Sequence, residues 1–251
     1  MKLMQFSRTT EVAAFCAAMM LGIGTQGALA DTFAVTYLAA GVQVPTGITP
    51  YYETFDGLTY NGTSLVTNFN GSSITGTYTG DVLIKNANLF GGAGGTGQYI
   101  TPPNGGSYTL TLSSQVNYFG LWFSALDAGN ELAFYENNTL LYSFSPADYT
   151  HLVGACPTAY CGNPNSDFYD LDSSQLYAYL NFYDTNASFN KIVVSENPVG
   201  GEFESDNQAV AMINAPPSGT VLTATPEPST WVLGLTGLGG LLMIPGLRHS
   251  S

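Results

Sequence analysis

Charge is scarce in this chain, and positive charge is the scarcer kind. Only 9% of the 251 residues are charged, and 5 Lys and Arg stand against 18 Asp and Glu, for a formal net charge of −13. A typical soluble domain carries about 25% charged residues. Nucleic-acid binding depends on clustered Lys and Arg that neutralise phosphates, so this composition excludes a nucleic-acid partner.

Histidine and cysteine are also rare, with 2 His and 3 Cys. His151 is the single histidine between residues 31 and 225, in a segment that we predict to be a loop. A Ser-His-Asp or Cys-His arrangement would have to use it, and the G-x-S-x-G and H-E-x-x-H motifs are both missing. We therefore expect a solvated loop histidine and no catalytic residues.

Aromatic residues and glycine are abundant instead. The chain has 16 Tyr, 14 Phe and 29 Gly, and 45% of its residues are hydrophobic. These values exclude intrinsic disorder. The scarcity of Glu and Lys argues against a helical bundle, and a composition rich in Tyr, Phe and Thr favours an all-β fold.

The first thirty residues have the pattern of a secretory signal peptide. Lys2 and Arg8 precede an apolar run at 12–24, and Ala28-Leu29-Ala30 is a small-residue cleavage site. An N-terminal anchor helix is the alternative, but the run is shorter than the roughly 20 residues that cross a bilayer. We predict a signal peptide at 1–30 and a secreted protein.

The C-terminal end has a second targeting pattern. Pro226-Glu227-Pro228 precedes seventeen uncharged residues at 231–247, and Arg248 follows them. A helix of that length spans roughly 25 Å, enough for a thin bilayer. We predict a transmembrane helix there, with Arg248 in the cytoplasm and the main domain outside.

This tail, residues 226–251, resembles the PEP-CTERM sorting signal of bacterial exosortase substrates. In that family a membrane protease, the exosortase, reads the Pro-Glu-Pro residues and cleaves near them. The resemblance implies that Pro226, Glu227 and Pro228 are recognised, and that the partners are the exosortase and the secretion machinery. It also implies a membrane-anchored precursor that ends at the cell surface or in the extracellular matrix of a Gram-negative bacterium.

The tail departs from that family in one respect. The family usually ends in several Arg residues, whereas this chain has Arg248 alone, followed by His249. An ordinary C-terminal anchor behind a Pro-rich linker is the alternative interpretation.

Residues 31–214 are predicted to form one β-sandwich domain, and residues 215–225, rich in Pro and Thr, a linker. Short runs of β-branched and aromatic residues recur along this segment, separated by Gly, Asn and Pro residues that are typical of turns. The clearest is a hairpin, Glu131–Glu136 and Thr139–Phe144, around an Asn137-Asn138 turn. The other predicted strands are Thr32–Leu38, Ser64–Phe69, Ile74–Thr79, Val82–Lys85, Tyr108–Leu112, Tyr118–Ser124, Tyr177–Tyr183, Lys191–Ser195 and Ala209–Ile213.

A second resemblance concerns this domain. Several of its segments are similar to a family of exosortase-dependent surface proteins. They are Asn117–Asp127, Asn130–Leu132, the hairpin, Tyr179–Phe182 and Phe203–Asn207. The similarity implies a jelly-roll-like surface domain and no enzymatic activity.

Cys156 and Cys161 remain after the signal peptide with Cys16 is removed. An even pair in an exported protein predicts a disulfide, which would close a short loop and contribute about 2 kcal/mol. A zinc site with His151 and Asp148 is the alternative. A separate pattern, Gly92–Gly97, formally matches G-x-G-x-x-G, but no helix is predicted after it, so we expect a flexible loop.

Clustered acidic residues suggest one cofactor, Ca²⁺, which takes 6–8 oxygen ligands. Glu53 and Asp56 lie near the first strands, while Asp206 and Asn207, in a group with Glu202 and Glu204, precede the last predicted strand. We predict that Glu53, Asp56, Asp206 and Asn207 are the calcium ligands. The alternatives are the loop acids of 167–172, solvated turn carboxylates, and a carboxylate pair for glycoside hydrolysis.

Alternation in the segment Tyr177–Tyr183 places Tyr177, Tyr179, Asn181 and Tyr183 on one face of a strand. An exposed face would be a glycan platform, and a buried one would be ordinary core. Trp122 lies between apolar residues, and we predict that it is core.

Together these patterns predict a secreted, exosortase-processed surface or matrix protein without catalytic activity. One alternative is a carbohydrate-binding module for exopolysaccharide with structural calcium. The other is a secreted glycan-active enzyme.

Overall fold

The computed structural model describes residues 33–164, 166–184, 186–196 and 201–222. These residues belong to one compact unit, Thr32–Thr225. The predicted signal peptide and the predicted sorting signal with its helix at 231–247 lie outside the described residues. Within the described ranges, no helix has the length and apolar character needed to cross a bilayer.

The described chain is all-β apart from one short helix and one 3-10 turn, which confirms the all-β part of the predicted fold class, while the β-sandwich stays a prediction. The helix α1 is Pro146–Val153, and the 3-10 turn is Ala93–Gly95. The strands are β1 Phe33–Tyr37, β2 Tyr51–Glu53, β3 Asn61–Thr67, β4 Gly76–Asn86, β5 Gln98–Thr101, β6 Ser107–Val116, β7 Tyr118–Leu126, β8 Asn130–Glu136, β9 Thr139–Phe144, β10 Leu176–Asp184, β11 Phe189–Glu196, β12 Glu204–Ala211 and β13 Thr220–Leu222.

All the strand pairings are antiparallel, and they join the strands into one sheet. Its order is β13-β1-β10-β7-β12-β5-β4-β6-β11-β8-β9, with β2 beside β12 and β3 beside β4. The sheet curls so that its two halves face each other. Phe33 on β1 stacks on Tyr142 of β9 with ring centroids 4.5 Å apart, and Phe182 on β10 lies 4.9 Å from Phe134 of β8.

The predicted hairpin is confirmed, with Glu136 opposite Thr139 and Asn137 at a φ of 54°. Strand β4 joins two runs that were predicted as separate strands. Gly80 lies at the junction with a φ of 105°, and a Cβ there would approach the Ser107 carbonyl oxygen to 2.6 Å. Only glycine fits this kink, which explains why the hydrophobic pattern breaks there while the strand continues.

Three predictions about chain segments need correction. His151 lies in helix α1 rather than in a loop, because Pro146 begins a helix and the Asp148 carboxylate accepts the Ser145 N–H at 3.1 Å. Strand β13 lies inside the segment predicted as a linker, since it pairs with β1. Strand β12 begins at Glu204 rather than at Ala209, so Asp206 and Asn207 lie within the strand.

The sheet is buried on both faces in the half that contains β10, β7 and β12. The inner face carries Phe119, Phe123 and Phe182 in the main core. The outer face carries Trp122 and Tyr179, which pack under Leu38, Val42 and Ala93 from two covering loops. The complete burial of β7 and β10 follows from this double coverage.

A candidate binding cavity at the start of strand β12

The predicted glycan platform lies under the covering loops. Tyr177, Tyr179, Asn181 and Tyr183 do share one face of β10, but all four are buried. The Tyr179 hydroxyl donates to the Asn207 carbonyl at 3.1 Å. The platform prediction is therefore wrong, and the core alternative is correct. Strand alternation shows which residues share a face but not whether another layer covers it.

The prediction of Trp122 as a core residue is confirmed, since its side chain is fully buried. The Gly92–Gly97 loop lies against the same outer face. Its Ala93 packs beside Trp122, and strand β5 follows the loop, in agreement with the prediction that no helix follows it.

The predicted calcium residues come together around strand β12. Strand β2 pairs with β12 and places Glu53 opposite Gln208. The Asp206 carboxylate accepts the Ala93 N–H at 2.8 Å and the Asn207 N–H at 2.6 Å. The pKa of Asp206 is raised to about 7, mainly by burial and also by the charges of Asp56 and Glu53, while these two hydrogen bonds lower it.

One carboxylate oxygen of Glu53 and one of Asp56 accept backbone hydrogen bonds within the chain. The Phe55 N–H donates to Glu53 and the Gln98 N–H donates to Asp56, each at 2.9 Å. Across the described ranges, no three His, Cys, Asp or Glu side chains are grouped so that they could hold a metal ion. Asp56 and Glu53 lie near enough to Asp206 for their charges to act on its carboxyl group, while calcium binding stays a prediction.

The predicted disulfide is confirmed between Cys156 and Cys161, whose Cα atoms are 5.9 Å apart. It closes the loop that follows helix α1. Cys161 also forms an isolated bridge with Leu176, the first residue of β10, so the bond ties this loop to the sheet.

Replacing both cysteines by serine is expected to lower the free energy of unfolding by about 2 kcal/mol, because the short closed loop restricts the unfolded chain only modestly. Thermal unfolding of the full chain with and without reductant measures this. Reductant should lower the wild-type Tm to the value of the Cys156→Ser/Cys161→Ser variant and leave the variant unchanged. A variant that does not fold at all would contradict the estimate.

A cavity of about 390 Å³ opens beside the start of β12. Strands β7, β12, β5 and β4 are consecutive in the sheet, and they bring residues from distant parts of the sequence to this place. Glu204 is the first residue of β12, Asp127 directly follows β7, Tyr99 lies on β5 and Lys85 on β4. Glu202 and Phe90 come from the adjoining loops.

Lys85 forms an ion pair with Glu202 at the cavity wall, and both side chains are partly exposed. The Thr101 hydroxyl lies 3.5 Å from the same Glu202 oxygen. On the opposite side, the Gln175 Nε2 donates to Asp127 Oδ1 at 2.7 Å. Burial raises the pKa of Asp127, and the charge of Asp172 adds to this effect, while the bond from Gln175 opposes it.

Glu204 is the most deeply placed acid of the cavity, with 6% of its surface exposed. Its own backbone N–H is the only hydrogen-bonding partner of its carboxyl group within the described residues. The pKa of Glu204 is raised to about 8, mainly by burial and also by the charges of Glu202 and Asp127, while the bond from its own backbone and the charge of Lys85 lower it. The carboxyl group is therefore mostly neutral at pH 7 and can donate a hydrogen bond.

Two further polar atoms near Glu204 have no partner among the described residues. Ser124 lies directly opposite Glu204 on β7, and its Oγ is buried without a hydrogen bond. The Oε1 of Gln175, a residue of the cavity wall, is buried and unpaired as well. Buried polar groups are normally satisfied, so these atoms call for an explanation.

Sequence reasoning grouped Glu202 and Glu204 with the acidic residues but did not identify Lys85, Asp127 or Phe90. The rarity of lysine was the available signal, because Lys85 is one of two lysines between residues 31 and 225. No spacing rule connects Lys85 with Glu202, which lies 117 positions further along the chain.

Comparisons of the chain with family models, with curated proteins and with solved structures found no match.

Proposed function

We propose that this chain is the precursor of an exported, exosortase-processed protein of the cell surface or extracellular matrix, with a jelly-roll-like domain that is not catalytic. One observation carries the proposal. Pro226-Glu227-Pro228 directly precedes the uncharged segment 231–247, and Arg248 follows it, behind an N-terminal secretory signal. The partners in this proposal are the exosortase, the secretion machinery and, before processing, the membrane.

The end of the domain supports removal of the tail without loss of the fold. Strand β13 pairs with β1, and Leu222 is buried at its end. Pro226 follows four residues later, a distance of at most about 14 Å for an extended chain. Cleavage at or after Pro226 would therefore leave every described strand intact.

Charge supports an extracellular location. Between residues 31 and 225 the chain has two lysines, no arginine and sixteen acidic residues. Such a surface repels anionic polymers and keeps the domain soluble among them at low salt.

Deleting residues 226–251 is expected to leave the domain folded and exported but to abolish its retention at the cell surface. The deletion removes both the predicted transmembrane helix and the Pro-Glu-Pro residues that the exosortase would recognise. Fractionation of cells into surface, membrane and medium measures this, with Glu131→Gln as a variant that changes one domain charge only. Unchanged surface retention of the truncated chain would refute the sorting proposal.

A second measurement examines processing itself. In cells that have the exosortase, the mass of the C-terminus should correspond to cleavage near Pro226-Glu227-Pro228, whereas cells without it should contain the full tail.

For the non-catalytic part of the proposal, the release of reducing ends from a neutral polysaccharide is measured. Release that disappears in Glu204→Gln would contradict it.

A further inference from the structure

We propose that the cavity at the start of β12 is a binding site for a neutral saccharide unit, whose hydroxyl groups bond to Glu204, Gln175 and the Lys85–Glu202 pair. This goes beyond the proposed function, since a surface protein can be sorted whether or not its domain binds a ligand. The site also differs from the predicted Tyr platform, which is buried.

The unused hydrogen-bonding capacity of Glu204 and Gln175 provides the first argument. Glu204 is 6% exposed and forms part of the cavity wall, and its carboxyl group is bonded by its own backbone N–H but by no other described residue. The buried Oε1 of Gln175 in the same wall lacks a donor. An unsatisfied buried polar group is costly, and a ligand hydroxyl that donates to one of these atoms and accepts from the other removes that cost.

The protonation of Glu204 provides the second argument. Asp127, Glu202 and Lys85 line the cavity with it. Tyr177 is close enough to feel the charges of Glu204 and Asp127, and its hydroxyl donates to Asp172 at 2.7 Å. Because burial keeps the Glu204 carboxyl mostly neutral at pH 7, it both donates and accepts. A sugar hydroxyl also both donates and accepts. It can therefore form a hydrogen bond with the Glu204 carboxyl without leaving a buried charge unpaired.

Charge selects a neutral ligand over an ionic one. Asp127 and Glu202 repel anions such as uronic acids. A cationic ligand such as an amino sugar would have to compete with Lys85, which already occupies Glu202 as its ion-pair partner.

Size and apolar surface fit the same class of ligand. Small-molecule pockets measure about 300–1,000 Å³, and this cavity lies near the lower limit with about 390 Å³. The Phe90 ring, 43% exposed, and the Tyr99 ring contribute apolar surface beside the polar groups. An apolar wall with a few directed polar groups is typical of ligand sites, and the C–H face of a pyranose complements it.

The test uses the full chain in a detergent without a sugar headgroup, at pH 7. The probes are immobilised neutral mono- and disaccharides of glucose, galactose, mannose and N-acetylglucosamine, with glucuronic acid and glucosamine as charged counterparts. We expect at least one neutral probe to bind, and to bind at least tenfold more tightly than either charged counterpart.

Three variants locate the site. Glu204→Ala removes the donor and should weaken binding at least tenfold, while Glu204→Gln keeps a neutral donor and acceptor and should stay within threefold of wild type. Phe90→Ala changes an exposed side chain that the fold does not need, and it should weaken binding at least threefold. Asp81→Asn removes an exposed acid elsewhere on β4 and should leave binding unchanged.

The proposal is overturned if no neutral saccharide binds at millimolar concentration, or if a charged probe binds more tightly than every neutral one. It is also overturned if binding is unaffected by both Glu204→Ala and Phe90→Ala, because the ligand would then occupy another surface.

Discussion

Replacing Glu204 by glutamine is expected to raise the free energy of unfolding by about 4 kcal/mol at pH 8 and to change it by about 1 kcal/mol or less at pH 5. The ordinary pKa of this carboxyl group is 4.5, and burial raises it to about 8 in the folded domain. Glutamine has nearly the same shape and stays neutral at every pH. Above pH 4.5, folding requires Glu204 either to take up a proton or to bury its charge, and both cost free energy. The substitution removes that cost and little else.

The direction follows from proton binding. Below pH 4.5 the carboxyl is protonated in both the folded and the unfolded chain, so its contribution to stability is complete. Between pH 4.5 and 8 the unfolded chain has released the proton while the folded chain retains it, so stability falls as pH rises. Asp206 acts in the same direction, since its pKa rises from 3.8 to about 7.

Urea unfolding of the full chain at pH 5 and pH 8 measures the effect, with the near-UV circular dichroism of the buried Tyr residues and Trp122 as the signal. Wild type should be several kcal/mol less stable at pH 8, Glu204→Gln should lose much less, and the exposed control Asp81→Asn should follow wild type. Parallel pH profiles for Glu204→Gln and wild type would show that Glu204 is not protonated in the folded domain.

Replacing Phe134 by alanine is expected to lower the free energy of unfolding by about 4 kcal/mol. Phe134 is fully buried on β8 and connects the two halves of the curled sheet. Its ring centroid lies 4.9 Å from Phe33 on β1, 4.9 Å from Phe182 on β10 and 5.2 Å from Phe189 on β11. Alanine would leave a cavity surrounded by rigid rings, which cannot close over it easily.

Phe134→Leu fills most of that space and should lose less than half as much stability as Phe134→Ala. Phe90→Ala, an equal truncation of an exposed ring, is the control and should change stability by less than about 0.5 kcal/mol. The same urea titration measures all three. Similar losses for Phe90→Ala and Phe134→Ala would contradict the role of Phe134 as a link between the halves of the sheet.

Local patterns predicted several elements correctly, because each depends on neighbouring residues. The hairpin around Asn137 depends on alternation and a turn that tolerates positive φ, and the structure has both. The disulfide depends on two cysteines five positions apart. The short strands β2, β5 and β13 were missed, since three or four residues carry too little alternation to be recognised and form strands only beside a longer partner.

The candidate sites show where local patterns end. The expectation that Glu53 and Asp206 lie near each other was correct, because β2 pairs with β12. The way backbone amides engage the Asp206 carboxylate depends on the covering loop at Ala93 and on the β-bulge at Asn207, and neither follows from composition. The pairing of Lys85 with Glu202 depends on the sheet order alone.

The sequence by itself determined the all-β class, the shortage of positive charge and the targeting patterns predicted at both ends, because these depend on composition and on contiguous residues. It also determined that Tyr177, Tyr179 and Tyr183 share one face of a strand. Only the tertiary structure decided that this face is covered and that Glu204, Asp127, Lys85 and Glu202 meet at one cavity. The physical reason is that alternation assigns each side chain to a face of its strand, whereas the long-range pairing of strands and the packing of loops decide what that face contacts.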